Sequence, residues 1–233
     1  MNNALPCCGK NENMAQIKAC IFDLDGVLVD TAVYHYKAWK KLANLLGFDF
    51  TEKQNESLKG VSRTESLKLI LEWGGLSLPA NTMQELADKK NSWYVAMISS
   101  MTPQDVLPGV TSFLSSVRGE GMGTALGSAS KNAALILERT GLNRFFDVTV
   151  DGNMIQASKP DPAVFLEGAA LLQQLPANCL VFEDAVAGIE AALAAGMNVV
   201  GVGERTILKE AGLVVKDLSG ISIHDVSIHF ASL

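Results

Sequence analysis

A short apolar run that ends on two acidic residues is the feature that most constrains the fold of this chain. Residues 19–22 are rich in strand formers, Asp23 follows directly, Asp25 stands two residues later, and Gly26 interrupts extended structure. A buried strand over residues 17–24 would deliver both carboxylates to the carboxyl edge of a sheet. Open α/β sheets bind their ligands at that edge. The pattern therefore predicts a functional site at the end of the first strand.

Strand-like and helix-like segments alternate along the second half of the chain. Strands are expected at 122–127, 148–150, 180–182 and 198–202, and helices at 110–117, 132–139, 163–172 and 186–195. Such alternation predicts an α/β fold, a doubly wound parallel (Rossmann-like) sheet with right-handed crossovers. The first strand belongs to the same sheet.

Residues 31–102 differ from the rest, because they show only helical periodicity. Helices are expected at 34–46, 64–73 and 81–98, with Gly47 as a natural end of the first. We therefore expect a helical cap domain, residues 31–102, inserted after the first strand of a core formed by residues 17–30 and 103–233. Residues 1–16 are polar and contain Gly and Asn, and we expect them to form a disordered leader.

Composition limits the partners of the chain. The net charge is −6 and the isoelectric point is about 5.1, so we expect no binding to nucleic acid. No apolar run has the length of a signal peptide core or a membrane span, so we expect no membrane association. Cys20 and Cys179 lie in apolar runs as core residues, and Cys7 and Cys8 lack partner spacing. The cysteines favour a reducing cytoplasm, and since nothing in the sequence suggests an obligate interface, we expect a monomer.

The two acids after the first strand suit phosphoryl transfer. Asp23, at the strand tip, is the candidate nucleophile, and it would form an aspartyl phosphate. Asp25 points to the same side beyond the turn, where it can act as general acid and base. Because carboxylate and phosphate are both anionic, this chemistry needs a divalent cation. The alternative is that the two aspartates only cap a solvated turn and have no catalytic role.

Three further motifs follow predicted strands. Ser128 ends one strand and Ser130 stands where the next helix is expected to begin, which favours an anion site, although ordinary helix capping explains both. Lys159 precedes a proline-initiated helix and could reach the same site, unless it is a solvated surface lysine. Glu183 and Asp184 are hard oxygen ligands that suit Mg²⁺, or that merely cap a helix.

In this order, these four motifs resemble the haloacid dehalogenase superfamily of aspartate-nucleophile phosphotransferases. The resemblance covers roughly residues 17–205. It implies catalytic roles for Asp23, Asp25, Ser128 and Lys159, and Mg²⁺ as cofactor. The metal-binding residues that it implies are Asp23, Asp25, Glu183 and Asp184. The dehalogenases of this superfamily lack the second aspartate and the metal, so the motifs favour the phosphotransferase branches.

The expected cap carries motifs that resemble the sugar-phosphate phosphomutases of this superfamily. Thr31 and His35 are four residues apart and share a helix face. The resemblance implies that both are catalytic, with His35 and Lys59 coupling substrate binding to cap closure, and that Arg63 holds a second phosphate. The residues implied to bind the substrate, a small sugar phosphate, are Lys59, Gly60, Arg63, Lys90, Ser130, Lys131 and Asn132.

Two other functions stay open at this point. A sugar-phosphate phosphatase of the same fold, acting on a hexose or deoxyhexose 6-phosphate, would not need the set formed by Thr31, His35, Lys59 and Arg63. A silent binding protein on this scaffold would be expected to have lost Asp23, Asp25 or Lys159. One departure from the family pattern is Asp161, which stands between two prolines and adds negative charge near Lys159.

Overall fold

The computed structural model describes residues 17–155 and 157–232, which form one parallel sheet surrounded by helices. The sheet has six strands in the order β3-β2-β1-β4-β5-β6, and every neighbouring pair is parallel. Its strands are β1 Ala19–Phe22, β2 Gly123–Gly127, β3 Val148–Val150, β4 Cys179–Glu183, β5 Asn198–Val202 and β6 Leu213–Val215. The predicted α/β fold is confirmed. The predicted leader, residues 1–16, lies outside the described residues.

The helices connect these strands and cover the sheet. They are α1 Ala32–Leu45, α2 Glu52–Glu56, α3 Arg63–Trp73, α4 Ala80–Ile98, α5 Val110–Gly119, α6 Ala133–Thr140, α7 Ala163–Leu171, α8 Val186–Ala194 and α9 Ile223–Ala231. Three elements were not predicted: α2, β6 and α9. The first two are too short, at five and three residues, to show a period of their own.

Both faces of the sheet are buried, because alternate residues of each strand enter two different apolar clusters. In β1, Ala19 and Ile21 pack in one cluster, and Cys20 and Phe22 pack in the other. The ring of Phe22 stacks on that of Phe182 in β4, with centroids 4.7 Å apart. This packing on two sides explains why the central strands consist of nearly continuous apolar residues.

Helices α1 to α4 lie between β1 and β2 in the chain and share a third apolar cluster. Trp39, Leu42, Phe50, Leu67 and Ile70 are all buried in it. This separate cluster supports the division into core (17–30, 103–233) and cap (31–102), which stays a prediction. Over the part of the chain described, none of the helices is both long and apolar enough to cross a lipid bilayer.

Candidate active site

Strand order brings the predicted catalytic residues to one edge of the sheet. β1 lies between β2 and β4, and Phe22 pairs with Leu126 on one side and Phe182 on the other. Asp23 and Glu183 each follow a paired position by one residue, and Ser128 follows its paired position by two. Because the strands are parallel, all three reach the carboxyl edge, where ligands of open α/β sheets bind.

Lys159 joins two of the acidic residues. Its Nζ lies 2.5 Å from Asp23 Oδ1 and 2.8 Å from Glu183 Oε2, and it donates to the Gly127 carbonyl at 3.2 Å. Burial alone would lower the pKa of Lys159, but Asp23 and Glu183 raise it above its ordinary value. Helix α7 begins only at Ala163, so Lys159 lies on the loop before it rather than next to its start.

Three carboxylates form a candidate divalent-metal site. Asp23, Glu183 and Asp184 each offer an oxygen, and these oxygens lie within 4.8 Å of one another. Hard carboxylate ligands of this kind fit Mg²⁺, which also keeps water and phosphate oxygens as ligands. The carboxylate of Asp25 accepts a hydrogen bond from the Thr31 hydroxyl instead. Its predicted part in metal binding stays a prediction.

Two glycines provide the space that the carboxylates of Asp184 and Glu183 occupy. A Cβ on Gly26, where φ is +85°, would lie 2.1 Å from Asp184 Oδ2. A Cβ on Gly188, in the first turn of α8, would lie 2.0 Å from Glu183 Cδ. Backbone N–H groups of Asp184 and Ala185 donate to Glu183 Oε1 at 3.2 and 3.1 Å. The local backbone therefore fixes the Glu183 carboxylate without a side chain in its way.

Burial makes these acids harder to ionise. Desolvation, together with the neighbouring Asp23 charge, raises the pKa of Asp25 to about 7. Burial likewise raises the pKa of Glu183 to about 8 and that of Asp184 to about 6, although nearby lysines oppose both shifts. At neutral pH, Asp25 can therefore both accept and donate a proton, as a general acid and base must.

The predicted site residues surround a cavity of about 760 Å³ above the sheet edge. Fourteen of the fifteen predicted residues line it: Asp23, Asp25, Thr31, His35, Lys59, Gly60, Arg63, Lys90, Ser128, Ser130, Lys131, Asn132, Lys159 and Asp184. Glu183 is buried behind this lining and contacts it through Lys159. The loops that follow the strands and helices α1 to α4 both contribute to the walls.

On the helical side, a buried lysine lies among aromatic rings. Lys90 Nζ lies 3.1 Å from Nδ1 of His35, 4.3 Å from the centroid of the Trp39 ring and 4.7 Å from that of Tyr94. Burial, and next the charge of Arg63, lower the pKa of Lys90 to about 7. Burial and Lys90 hold the pKa of His35 well below its ordinary value. Lys90 and His35 therefore present nitrogen donors to the cavity without the free-energy cost of burying two full positive charges.

Ser130 does not begin a helix as predicted, because α6 starts at Ala133 with Asn132 as its N-cap. The two serines instead shape the loop. Ser128 Oγ accepts from the N–H of Ser130 at 3.1 Å, and Ser130 Oγ accepts from the N–H of Asn132 at 3.2 Å. The Asn132 amide then donates to Asn91 Oδ1 in α4 at 2.9 Å. This contact connects the β2–α6 loop to the helical segment.

Asn91, Tyr94 and Trp39 line the cavity but were not predicted as site residues. The rings of Trp39 and Tyr94 are both buried. The spacing of four from Lys90 to Tyr94 is the sequence signal that they share a helix face.

Comparison with known proteins identifies similar chains. The haloacid dehalogenase-like hydrolase family model matches residues 17–196. β-Phosphoglucomutase of Bacillus subtilis is 44% identical over 89% of this chain and 92% of its own. A Clostridium difficile β-phosphoglucomutase crystal structure superposes with a TM-score of 0.90 at 43% identity, covering 93% of this chain and 98% of that one. A phosphorylated carbohydrates phosphatase of Thermotoga maritima is 30% identical over 85% of this chain and 93% of its own.

The raised acid pKa values predict how stability depends on pH and Mg²⁺. Asp25, Glu183 and Asp184 hold protons in the folded protein at pH values where the unfolded chain has lost them. Their contribution to the free energy of unfolding therefore falls as pH rises from about 4 to about 8. Bound Mg²⁺ favours the ionised carboxylates, so we expect the gain in melting temperature with Mg²⁺ to be larger at pH 8 than at pH 6.

Thermal unfolding of the metal-free and Mg²⁺-loaded protein at both pH values measures this difference. The double variant Glu183→Gln, Asp184→Asn is the control and should lose the Mg²⁺ gain at both. An equal gain in the variant would place the cation elsewhere.

Proposed function

This chain belongs to the haloacid dehalogenase-like hydrolases, and we propose that it is a β-phosphoglucomutase, an isomerase. It would interconvert β-D-glucose 1-phosphate and glucose 6-phosphate through an aspartyl phosphate and β-glucose 1,6-bisphosphate. The similarity to two β-phosphoglucomutases over most of both chains supports this substrate.

One observation favours a phosphomutase over phosphotransferases in general. Asp23 and Lys159 line the same cavity as Arg63 and Lys90, so the Arg63 guanidinium and the Lys90 amine of the helical segment face a space that also holds the nucleophile. A mutase binds a sugar with phosphate at either end and needs two phosphate sites. A guanidinium suits the second, since it can bind phosphate through two parallel hydrogen bonds.

In the first half-reaction, the phosphoryl group leaves phospho-Asp23 for the 6-hydroxyl of β-glucose 1-phosphate. The bond between the Asp23 carboxylate and phosphorus breaks as the bond to O6 forms. Asp25 takes the hydroxyl proton, which a pKa of about 7 allows. Arg63 binds the 1-phosphate during this step, and the product is β-glucose 1,6-bisphosphate.

In the second half-reaction, the bisphosphate lies in the opposite orientation. The Asp23 carboxylate attacks the phosphorus of the 1-phosphate, and Asp25 returns the proton to O1 as that oxygen leaves. Arg63 now binds the 6-phosphate, and glucose 6-phosphate is released with Asp23 phosphorylated again. Enclosure of the cavity by the helical segment excludes water, which would otherwise hydrolyse the phosphoenzyme.

The surrounding residues support this cycle. Lys159 pairs with Asp23 and Glu183 and orients the nucleophile. When bound by Asp23, Glu183 and Asp184, Mg²⁺ would neutralise the repulsion between the carboxylate and the phosphoryl oxygens. The β2–α6 loop, with Ser128, Ser130, Lys131 and Asn132, binds phosphate oxygens. We further propose that the enzyme is a cytoplasmic monomer, in keeping with the buried free thiols of Cys20 and Cys179.

A coupled assay for glucose 6-phosphate from β-glucose 1-phosphate tests the proposal. With Mg²⁺ present, we expect catalytic amounts of β-glucose 1,6-bisphosphate to stimulate product formation, since they phosphorylate Asp23. Free phosphate, followed in parallel, should stay low. Release of free phosphate without isomerisation would instead support a sugar-phosphate phosphatase, the activity named for the Thermotoga maritima relative. Absence of both products would support a silent binding protein.

Arg63→Ala should separate the two phosphate sites. We expect kcat/KM for β-glucose 1-phosphate to fall about 100-fold, as for the loss of a charge-assisted hydrogen-bond pair. Phosphorylation of the enzyme by acetyl phosphate, which carries no second phosphate, should stay unchanged. Lys68→Ala, an exposed cation of the same helix, is the control. Equal losses with both phosphoryl donors would mean that Arg63 acts at the nucleophile and not at a second site.

A further inference from the structure

Lys59 contacts two carboxylates of very different exposure. Its Nζ lies 3.2 Å from Asp184 Oδ2 and 3.0 Å from Glu56 Oε2. The Asp184 side chain is 8% exposed, whereas that of Glu56 is 61% exposed. Lys59 therefore has one partner inside the candidate metal site and another at the surface, both within reach of the same ammonium group.

The position of Lys59 is unusual because Asp184 belongs to the proposed metal site. Lys159 compensates the other two carboxylates, Asp23 and Glu183. Among residues 17–155 and 157–232, Lys59 is the cation found in an ion pair with Asp184. An arriving divalent ion would meet a positive charge already placed on one of its ligands, and like charges at this range repel strongly in a partly buried site.

Lys59 also lies where an anionic ligand can reach it. It lines the substrate cavity together with Arg63 and Lys90, and it lines a second cavity of about 710 Å³ together with Glu56 and Asp184. The side chain can therefore leave Asp184 without entering an apolar environment, either towards Glu56 or towards a phosphate in the first cavity.

We propose that Lys59 is a positioning residue that competes with the divalent cation for Asp184 and thereby couples metal binding to substrate binding. When the metal binds, Lys59 leaves Asp184 and becomes available to a phosphate group. When a phosphate holds Lys59, Asp184 is open to the metal. By thermodynamic reciprocity, each ligand raises the affinity for the other by the same factor. The substrate half of this inference rests on the proposed function, and the metal half does not.

Calorimetric titration of the metal-free, unphosphorylated protein with Mg²⁺ alone tests the metal half. We expect Lys59→Met to bind Mg²⁺ about tenfold more tightly than the unmodified chain, because a competing charge is removed. Glu56→Gln should weaken Mg²⁺ binding several-fold, since Lys59 then has only Asp184 as partner. Lys68→Met is the matched control, because it removes an exposed lysine that also pairs with a glutamate three residues away, and it should change nothing.

The two substitutions thus shift the affinity in opposite directions, which a general loss of structure would not do. Circular dichroism melting of each variant verifies that it is folded. Unchanged or weaker Mg²⁺ binding by Lys59→Met would overturn the inference, whatever the substrate is.

The same titrations in the presence of glucose 6-phosphate test the coupling. We expect this ligand to tighten Mg²⁺ binding to the unmodified chain, and the tightening to be lost in Lys59→Met but kept in Lys68→Met. Equal tightening in all three would overturn the coupling. If glucose 6-phosphate bound none of them, the proposed function would fail, while the titrations with Mg²⁺ alone would still decide the metal half.

Discussion

Repulsion among acidic side chains at the ends of β1 and β4 is the constraint on which the rest of the site depends. Asp23, Glu183 and Asp184 present oxygens within 4.8 Å of one another in a largely buried position. Burying charges without partners is costly, so each must be compensated. Lys159 compensates two of them, and backbone N–H groups hold Glu183 in place. A carboxylate in such surroundings can be a nucleophile only while cations stay close to it.

The helical segment supplies two further cations, Lys59 and Arg63, together with the Lys90 amine, and this connects its position to the chemistry. Lys59 reaches Asp184 from the loop between α2 and α3, while Arg63 and Lys90 face the cavity from α3 and α4. A ligand with two phosphates would bind to groups from both sides of the cavity. Movement of the helical segment would therefore change the electrostatics of the carboxylates.

Much of this arrangement could be predicted from sequence, because it depends on local patterns. The apolar run before Asp23 and the strand before Glu183 could be predicted, since a parallel strand buried on two faces is apolar throughout. Contacts between residues that are far apart in the sequence could not be predicted. The Asn132 amide reaches Asn91 across 41 positions, and nothing in either stretch indicates the other. The helix predicted at 132–139 is α6, which begins one residue later at Ala133, but Ser130 lies in the preceding loop and not at the helix start, because serines in such a loop look like helix caps.

The central claim is that Asp23 carries the phosphoryl group. Its most direct test is to mix the enzyme with β-glucose 1,6-bisphosphate and Mg²⁺, quench in acid, and determine by peptide mass spectrometry which residue is modified. We predict one phosphoryl group on the peptide that contains Asp23, located on that aspartate, and none when Asp23→Asn is treated in the same way. A phosphoryl group on another residue, or an unmodified enzyme that still forms glucose 6-phosphate, would contradict the account.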